Sequence, residues 1–343
     1  MTAPAAREAR QAREAHVVAQ AKVNLFLRVL AREAGGHHQL ETLFQRLELG
    51  DDVRVRVGVS GRSLDCGGAE LGPVERNLAW LAAEAYRAAA GWPDGYAIEV
   101  EKRIPVGGGL GGGSADAGAV LRALNALAPR PLDGGALLAL AAPLGADVPF
   151  LTTEAPLALA WGRGERMLAL PPLPARRAQL ALFGEGVSTA EAFGALAAAR
   201  AAGAAAPRPI LWRPERLARW DDVALVASND FEDVVFPRRE DVAAVREMFD
   251  QVTRRVDLLH RGAAAGGSRD GGDDGGDGDT VPIALMSGSG ATVFLLTPLD
   301  GVEVVFEVRG EGASTPGEPP EPGGLAFVET RTATRVAPVS APG

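Results

Sequence analysis

Pro105-Val106-Gly107-Gly108-Gly109-Leu110-Gly111-Gly112-Gly113-Ser114-Ala115-Asp116-Ala117 is the stretch on which the reading of the fold turns. Six of the seven positions from 107 to 113 are glycine. Each glycine loses more conformational entropy on ordering than any other residue, so such a run is a poor core element. It suits a backbone that must approach a ligand closely with its N–H groups free. A strand-like segment, Tyr96–Ile104, precedes the run, and an amphipathic helix is expected over Ser114–Leu127. The first turn of that helix adds unpaired N–H groups and the positive end of a dipole, which together make a cradle for phosphate. Ser114 is placed to cap the helix and to offer its hydroxyl to a phosphate or its magnesium ion. The alternative, a flexible linker, would not start with a proline and sit between a strand and a helix. No Gly-Lys-Ser/Thr follows, so this is not a P-loop. The acidic residue that a dinucleotide fingerprint requires after a second strand is also missing. Cationic help for the phosphates must therefore come from elsewhere in the chain.

Outward from the loop, strands and helices are interspersed, which defines an α+β class. His16–Leu30 reads as one or two strands and Asp51–Val59 as a half-buried one. Asn77–Ala90 reads as a helix closed by Gly91-Trp92-Pro93-Asp94-Gly95, and Asp133–Leu144 as another. Beyond Ala155 come strand-like pieces, helices at Ala190–Ala202 and Glu240–Leu259, and strands at 281–286, 292–297 and 302–307. Residues 262–280 are low-complexity Gly/Asp and are expected to be a disordered insertion, without the apolar alternation that a calcium-binding solenoid needs. Residues 1–15 read as a leader and 309–343 as a flexible tail.

The chain has 343 residues, 47% of them hydrophobic, enough for a sizeable core. A net charge of −9 argues against broad binding to nucleic acid or an anionic membrane. The single cysteine, Cys66, excludes a disulfide framework, and no apolar run is long enough to span a bilayer. The polar N-terminus has no signal-peptide core, so a cytoplasmic location is expected. Among 35 basic residues only Lys22 and Lys102 are lysines. Composition bias accounts for most of that imbalance; a lysine that survives it is a candidate for a role arginine cannot fill.

The glycine stretch resembles the second motif of the GHMP kinases. Ala21-Lys22-Val23-Asn24-Leu25-Phe26-Leu27, Leu144-Gly145-Ala146-Asp147-Val148-Pro149-Phe150 and Met286-Ser287-Gly288-Ser289-Gly290-Ala291 are similar to blocks of one of their families, the 4-diphosphocytidyl-2-C-methyl-D-erythritol kinases. Weaker matches at His38–Phe44, Gly186–Ala190 and Ser228–Glu232 complete a collinear set over about 21–297. The resemblance implies a two-domain fold with the active site in the cleft between the domains. The expected partition is an ATP-binding domain over 16–165 and a second domain over 166–308. It implies ATP held by Pro105–Ala115, with Mg2+ at Ser114 and the diphosphocytidyl-methylerythritol as acceptor, by a monomer or homodimer. The family's catalytic pair falls on Lys22 and Asp147. A carboxylate there can accept the proton of the attacking hydroxyl while a neighbouring ammonium neutralises developing charge. Read without the family, Asp147 is more readily a helix cap or a turn residue before Val-Pro, and Lys22 is an ordinary exposed lysine, a reading weakened by its place inside an apolar strand and by its being one of two lysines.

The resemblance also implies that cytosine stacks between aromatic rings and is read at its edge. The matching positions are His37, where the family has tyrosine, and His38, with Phe193 as candidate for the other face and Asn24 near the acceptor end. Two adjacent histidines could suggest a metal, but no ligand spacing accompanies them. Ser287 and Gly288 are expected to bring a second backbone toward the phosphates, although Ser-Gly is also ordinary turn chemistry. Lys102 is expected to be solvated or near phosphate, and Asp116 stands where many relatives have asparagine. The alternatives are another GHMP kinase, of homoserine or mevalonate type, and a non-catalytic nucleotide-binding protein.

Overall fold

Val17, Ala19, Ala21, Val23 and Leu25 are all essentially inaccessible, and the run expected as one or two strands is a single one, β1 (Arg13–Arg32). The computed structural model describes residues 12–33, 35, 38–69, 71–205, 213–266, 280–300, 306, 320–321 and 323–341. After β1 come β2 (His38–Val57), β3 (Arg62–Asp65), α1 (Leu78–Ala90), β4 (Tyr96–Glu101), α2 (Gly112–Leu127), α3 (Gly134–Ala141) and α4 (Val148–Thr152). The chain continues through β5 (Leu157–Gly162), β6 (Arg166–Leu170), β7 (Arg176–Phe183), α5 (Thr189–Ala201), α6 (Trp220–Val226), β8 (Ser228–Asn229) and α7 (Glu232–Val235). It ends with α8 (Glu240–Gly266), β9 (Ile283–Met286), β10 (Val293–Pro298) and β11 (Leu325–Arg331).

Two sheets organise these elements. In the first, strands run β3-β4-β2-β1-β8, and the long β2 also pairs with β5, which pairs with β6. β1 and β2 are antiparallel, with register shifts between Gln20 and Lys22 and between Asn24 and Phe26. Such bulges re-aim side chains, here around Lys22 and Asn24. The second sheet runs β11-β7-β10-β9. Its strands are apolar on both faces with period 2. Leu180, Phe294 and Leu296 join the core beneath the first sheet, while Ala181, Val293 and Leu295 join a second core under α5, α7 and α8.

Helix α2, expected to be amphipathic, is instead buried nearly all round from Ala115 to Leu124, Asp116 and Arg122 included. A Cβ at Gly118 would lie 2.5 Å from the Leu151 carbonyl oxygen, so α4 reaches α2 only because position 118 has no side chain. That contact sets Asp147, the residue before α4, beside the glycine loop.

Three expectations are corrected. The helix after the loop starts at Gly112, not Ser114, and Gly111 occupies its cap position without a side-chain hydrogen bond. Gly111, at φ 75°, turns the chain into the helix before Ser114 is reached. The stretch beyond 309 is not all tail. β11 pairs with β7 from Leu325↔Phe183 to Arg331↔Arg177, and the Ser340 and His16 backbones exchange hydrogen bonds, N–H to carbonyl, at 2.8 and 2.9 Å. The apolar run Leu325-Ala326-Phe327-Val328 outweighs the surrounding Pro/Gly composition. Helix α8 extends into the expected insertion as far as Gly266. The rest of that insertion to 279 lies outside the described residues, as does most of the expected strand at 302–307. The expected domain boundary at 165/166 falls inside the β5–β6 hairpin.

Candidate active site

Glycines 107, 109 and 111 take left-handed φ values of 80°, 78° and 75°. Alternating backbone hands of this kind turn successive N–H groups toward one side, a nest for anions. The loop is also pressed against the second glycine segment. A Cβ at Gly109 would lie 2.3 Å from the Ser287 carbonyl oxygen, and one at Gly290 would lie 3.0 Å from that of Gly107. Ser287 is fully buried, and its hydroxyl donates to the Gly109 carbonyl at 2.9 Å. It therefore braces the first loop, whereas Gly288 lines the neighbouring cavity. Asn229 holds the second segment from below by donating to the Met286 (2.8 Å) and Gly288 (2.7 Å) carbonyls.

Lys22 and Asp147 meet at this loop. The Lys22 ammonium lies 3.3 Å from Asp147 Oδ2 and donates to Asn24 Oδ1 (2.8 Å) and the Gly109 carbonyl (2.9 Å). It is 3% exposed against 27% for the aspartate, so the pair has one buried and one open end. Asp147 precedes α4 yet makes no side-chain capping bond, leaving its carboxylate for the cavity and for Lys22. A Cβ at Gly111 would sit 3.1 Å from Lys22 Cε and 3.5 Å from Asp147 Oδ2. Asn24 completes the corner: its Oδ1 also accepts from the Gly288 N–H (3.1 Å), and its Nδ2 donates to Thr42 Oγ1 (2.8 Å).

The glycine loop divides two cavities. One, of ≈ 450 Å³, is lined by Lys22, Asn24, Thr42, Asp147, Phe193 and Gly288 together with Gly109, Gly111–Gly113 and Ser114. The other, of ≈ 230 Å³, lies on the opposite side of the loop and is lined by Pro105, Val106 and Leu110 among others. Gly107, Gly109 and Gly111–Gly113 border both, and Gly108 borders the smaller. Ala115 borders neither: it is core, and its amide is committed to the Gly111 carbonyl at 2.8 Å.

Lys102 is not solvated. Its ammonium sits between Asp51 Oδ2 (2.5 Å) and Asp116 Oδ2 (2.8 Å), below the first turn of α2. Burial alone would lower its pKa, but Asp116 and Asp51 outweigh it and raise the value. Burial pushes Asp116 up to about 7, with the charge of Asp51 acting the same way against the pull of Lys102. Asp116 is thus held in this triad, at the edge of the smaller cavity.

In the region expected to recognise the base, His38 stacks on Phe193, centroids 4.2 Å apart and planes 16° from parallel, and Phe193 meets Phe231 edge-on at 4.9 Å. That spacing leaves no room for a base between the two rings, so a sandwich with His38 is excluded in this arrangement. His37 lies outside the described residues.

Sequence reasoning missed Arg46. It is 1% exposed and donates to the Phe150, Thr153 and Ala155 carbonyls at 2.9–3.1 Å, a cation at the C-terminal end of the helix that presents Asp147. Burial, with nearby Arg122, lowers its pKa to about 9. Thr42 and Asn229 were also passed over, although both lie in the weaker blocks of the resemblance and were findable there.

Residues 77–154, from the cap of α1 to just past α4, match the family model described as GHMP kinases N terminal domain, and the chain is a GHMP kinase by class. A 4-diphosphocytidyl-2-C-methyl-D-erythritol kinase of Anaeromyxobacter sp. (strain K) is 39% identical over 306 residues, 87% of this chain and 86% of that protein. Its namesake from Geobacter sp. (strain M21) is 35% identical over 279 residues, 81% and 88% of the two chains. A crystal structure of a 4-(cytidine 5'-diphospho)-2C-methyl-D-erythritol kinase superposes with a TM-score of 0.54 at 34% identity, covering 82% and 89%. With these relatives the chain belongs to the 4-diphosphocytidyl-2-C-methyl-D-erythritol kinase family.

Proposed function

We propose that this protein transfers the γ-phosphoryl group of ATP to the 2-hydroxyl of 4-diphosphocytidyl-2-C-methyl-D-erythritol, a step in the non-mevalonate route to isoprenoid precursors. The observation that carries the mechanism is the Lys22–Asp147 pair, 3.3 Å apart, against Gly111 where the two cavities meet. The acceptor alcohol occupies the ≈ 450 Å³ cavity and presents its hydroxyl to Asp147. Asp147 takes the hydroxyl proton as the new O–P bond forms and the bond to the leaving ADP oxygen breaks. Lys22, pinned by Asn24 and Gly109, keeps a fixed positive charge beside the reacting oxygens and pays no reorganisation during the reaction. The nest and the first N–H groups of α2 hold the phosphates, so positioning and charge neutralisation supply most of the catalysis.

Magnesium fits this site as a companion of the nucleotide. Among the described residues no three His, Cys, Asp or Glu side chains converge, so the chain offers no cage of its own. The Ser114 hydroxyl borders the larger cavity and would hold an ion that keeps phosphate and water ligands, leaving Asp147 free to act as base. When bound, the ion neutralises phosphate charge. The cytosine would stack on the Phe193 side of the His38–Phe193 pair. Among the described residues no helix is long and apolar enough to cross a membrane, and we place the enzyme in the cytoplasm.

The test is a substrate panel. Purified protein with ATP, magnesium and the diphosphocytidyl-methylerythritol releases ADP, and D147N nearly abolishes the release. Turnover of homoserine or mevalonate in place of that acceptor would assign a different GHMP activity.

A further inference from the structure

The two lysines near the glycine loop are both committed. Lys22 serves Asn24, Gly109 and Asp147 on the acceptor side. Lys102 is outnumbered by two carboxylates, Asp51 and Asp116, so the floor of the smaller cavity carries no spare positive charge. A triphosphate remains anionic even with its magnesium. The loop contributes only N–H dipoles, and a nucleotide entering the ≈ 230 Å³ cavity meets a site short of full cations.

One side chain on that cavity answers the deficit. Arg76 borders it and is exposed, and among the described residues no carboxylate pairs with it. The backbone beneath it is held firmly. Arg76 closes a single 3-10 turn, Val74–Arg76, with its N–H donating to the Pro73 carbonyl at 3.0 Å. The next residue, Asn77, caps α1 by accepting from the Ala79 N–H at 2.9 Å. Leu78 follows and packs on the start of α2, where a Cβ at Gly113 would lie 3.8 Å from Leu78 Cδ1. Leu78 borders both cavities, so the chain that carries Arg76 enters the site at the wall the two cavities share. A planar, permanently charged guanidinium on an anchored turn beside a helix N-terminus is suited to phosphate oxygens.

We propose that Arg76 is a nucleotide-contact residue that binds the phosphates of the donor. The inference rests on the reading of the glycine loop as the ATP site, and it goes beyond that reading by naming a side chain the loop itself lacks. Because Arg76 is exposed, its contact is worth less than that of a buried pair, and its loss should weaken nucleotide binding roughly tenfold.

The experiment compares wild type with R76A, R76K and R76E in the full chain, using ATP in turnover and ADP and adenosine in equilibrium binding. In R76A the KM for ATP and the Kd for ADP rise roughly tenfold. The kcat at saturating ATP, the KM for the acceptor and the Kd for adenosine stay within about twofold of wild type. R76K recovers part of the loss, R76E falls below R76A, and the deficit shrinks at high salt. An unchanged KM for ATP and Kd for ADP in R76A would overturn the proposal. So would an equal loss of adenosine binding, which would put the guanidinium on the purine. A wild-type protein that fails to phosphorylate the cytidyl acceptor refutes the function instead, and the ADP and adenosine arms still decide Arg76.

Discussion

Replacing Lys22 by methionine separates chemistry from folding. Methionine keeps the apolar stem of the side chain and removes only the charge. Across 3.3 Å, at an effective dielectric of about 20, the attraction between ammonium and carboxylate is about 5 kcal/mol before desolvation is subtracted. Charge developing on the transferred phosphoryl group is stabilised through the same centre. Comparable single donors are worth about 2.7–4 kcal/mol, so kcat should fall by roughly 10²–10³-fold. Folding should suffer far less, because Asp147 is 27% exposed and open to water, and neither of the two hydrogen-bond acceptors that Lys22 serves is orphaned. Asn24 Oδ1 still accepts from the Gly288 N–H, and the Gly109 carbonyl still accepts from Ser287 Oγ. The mutation also relieves the burial of an ammonium that is 3% exposed. We expect a change in unfolding free energy of no more than about 1 kcal/mol. The assay is coupled ADP release at saturating substrates, paired with urea unfolding of the same preparations. A K22M protein that keeps kcat within tenfold of wild type refutes the catalytic role. One that unfolds several kcal/mol more easily refutes the bookkeeping of its hydrogen bonds.

Three further outcomes follow from the same geometry. G109A combines a left-handed φ of 78° with a Cβ 2.3 Å from the Ser287 carbonyl oxygen, and should lose more than about 2 kcal/mol of stability and weaken ATP binding. G134A, with nothing within 4 Å of its new Cβ, is the control and should leave the urea midpoint unchanged or slightly higher. F193A removes the ring bordering the acceptor cavity and should raise the acceptor KM roughly tenfold while leaving the KM for ATP unchanged. An equal change in both constants would place Phe193 outside base recognition. Asp116 holds its proton to about pH 7 when folded but releases it from its usual value of 3.8 when unfolded. The folded state therefore binds more protons across that window, and this contribution to stability is lost as pH rises toward and through 7. D116N should flatten the fall in urea midpoint between pH 5 and pH 8, and a wild-type slope retained in D116N would contradict the assignment.

Much of the architecture was legible because it is locally encoded. The helix over Asn77–Ala90 is bounded as its residues direct: Asn77 caps it through its side chain, and Gly91 ends it at φ 63°. The strand Leu325–Arg331 was hidden because its seven residues lie in a Pro/Gly-rich stretch and pair with β7, far earlier in the chain. Composition describes a neighbourhood, whereas pairing depends on a distant partner. Ser114 was misplaced by three residues because a serine beside an apolar run is a strong cap signal. The signal that overrode it, a left-handed Gly111, is invisible among six glycines.

The sequence by itself determined the chemistry available: a glycine cradle before a helix, two lysines in a chain otherwise rich in arginine, and blocks in the order of one kinase family. Types and spacings carry that information because backbone freedom, charge and helix periodicity are properties of the residues themselves. Only the tertiary structure decided what surrounds each lysine. The family blocks single out Lys22 over Lys102, but it is bulges in β1 that aim the first at Asp147, and Asp51 and Asp116 that hold the second beneath α2. It also left Arg76 at the smaller cavity with no carboxylate partner among the described residues. A charge acquires its role from its neighbours, and those neighbours, 125 positions apart in the case of Lys22 and Asp147, are brought together only by packing.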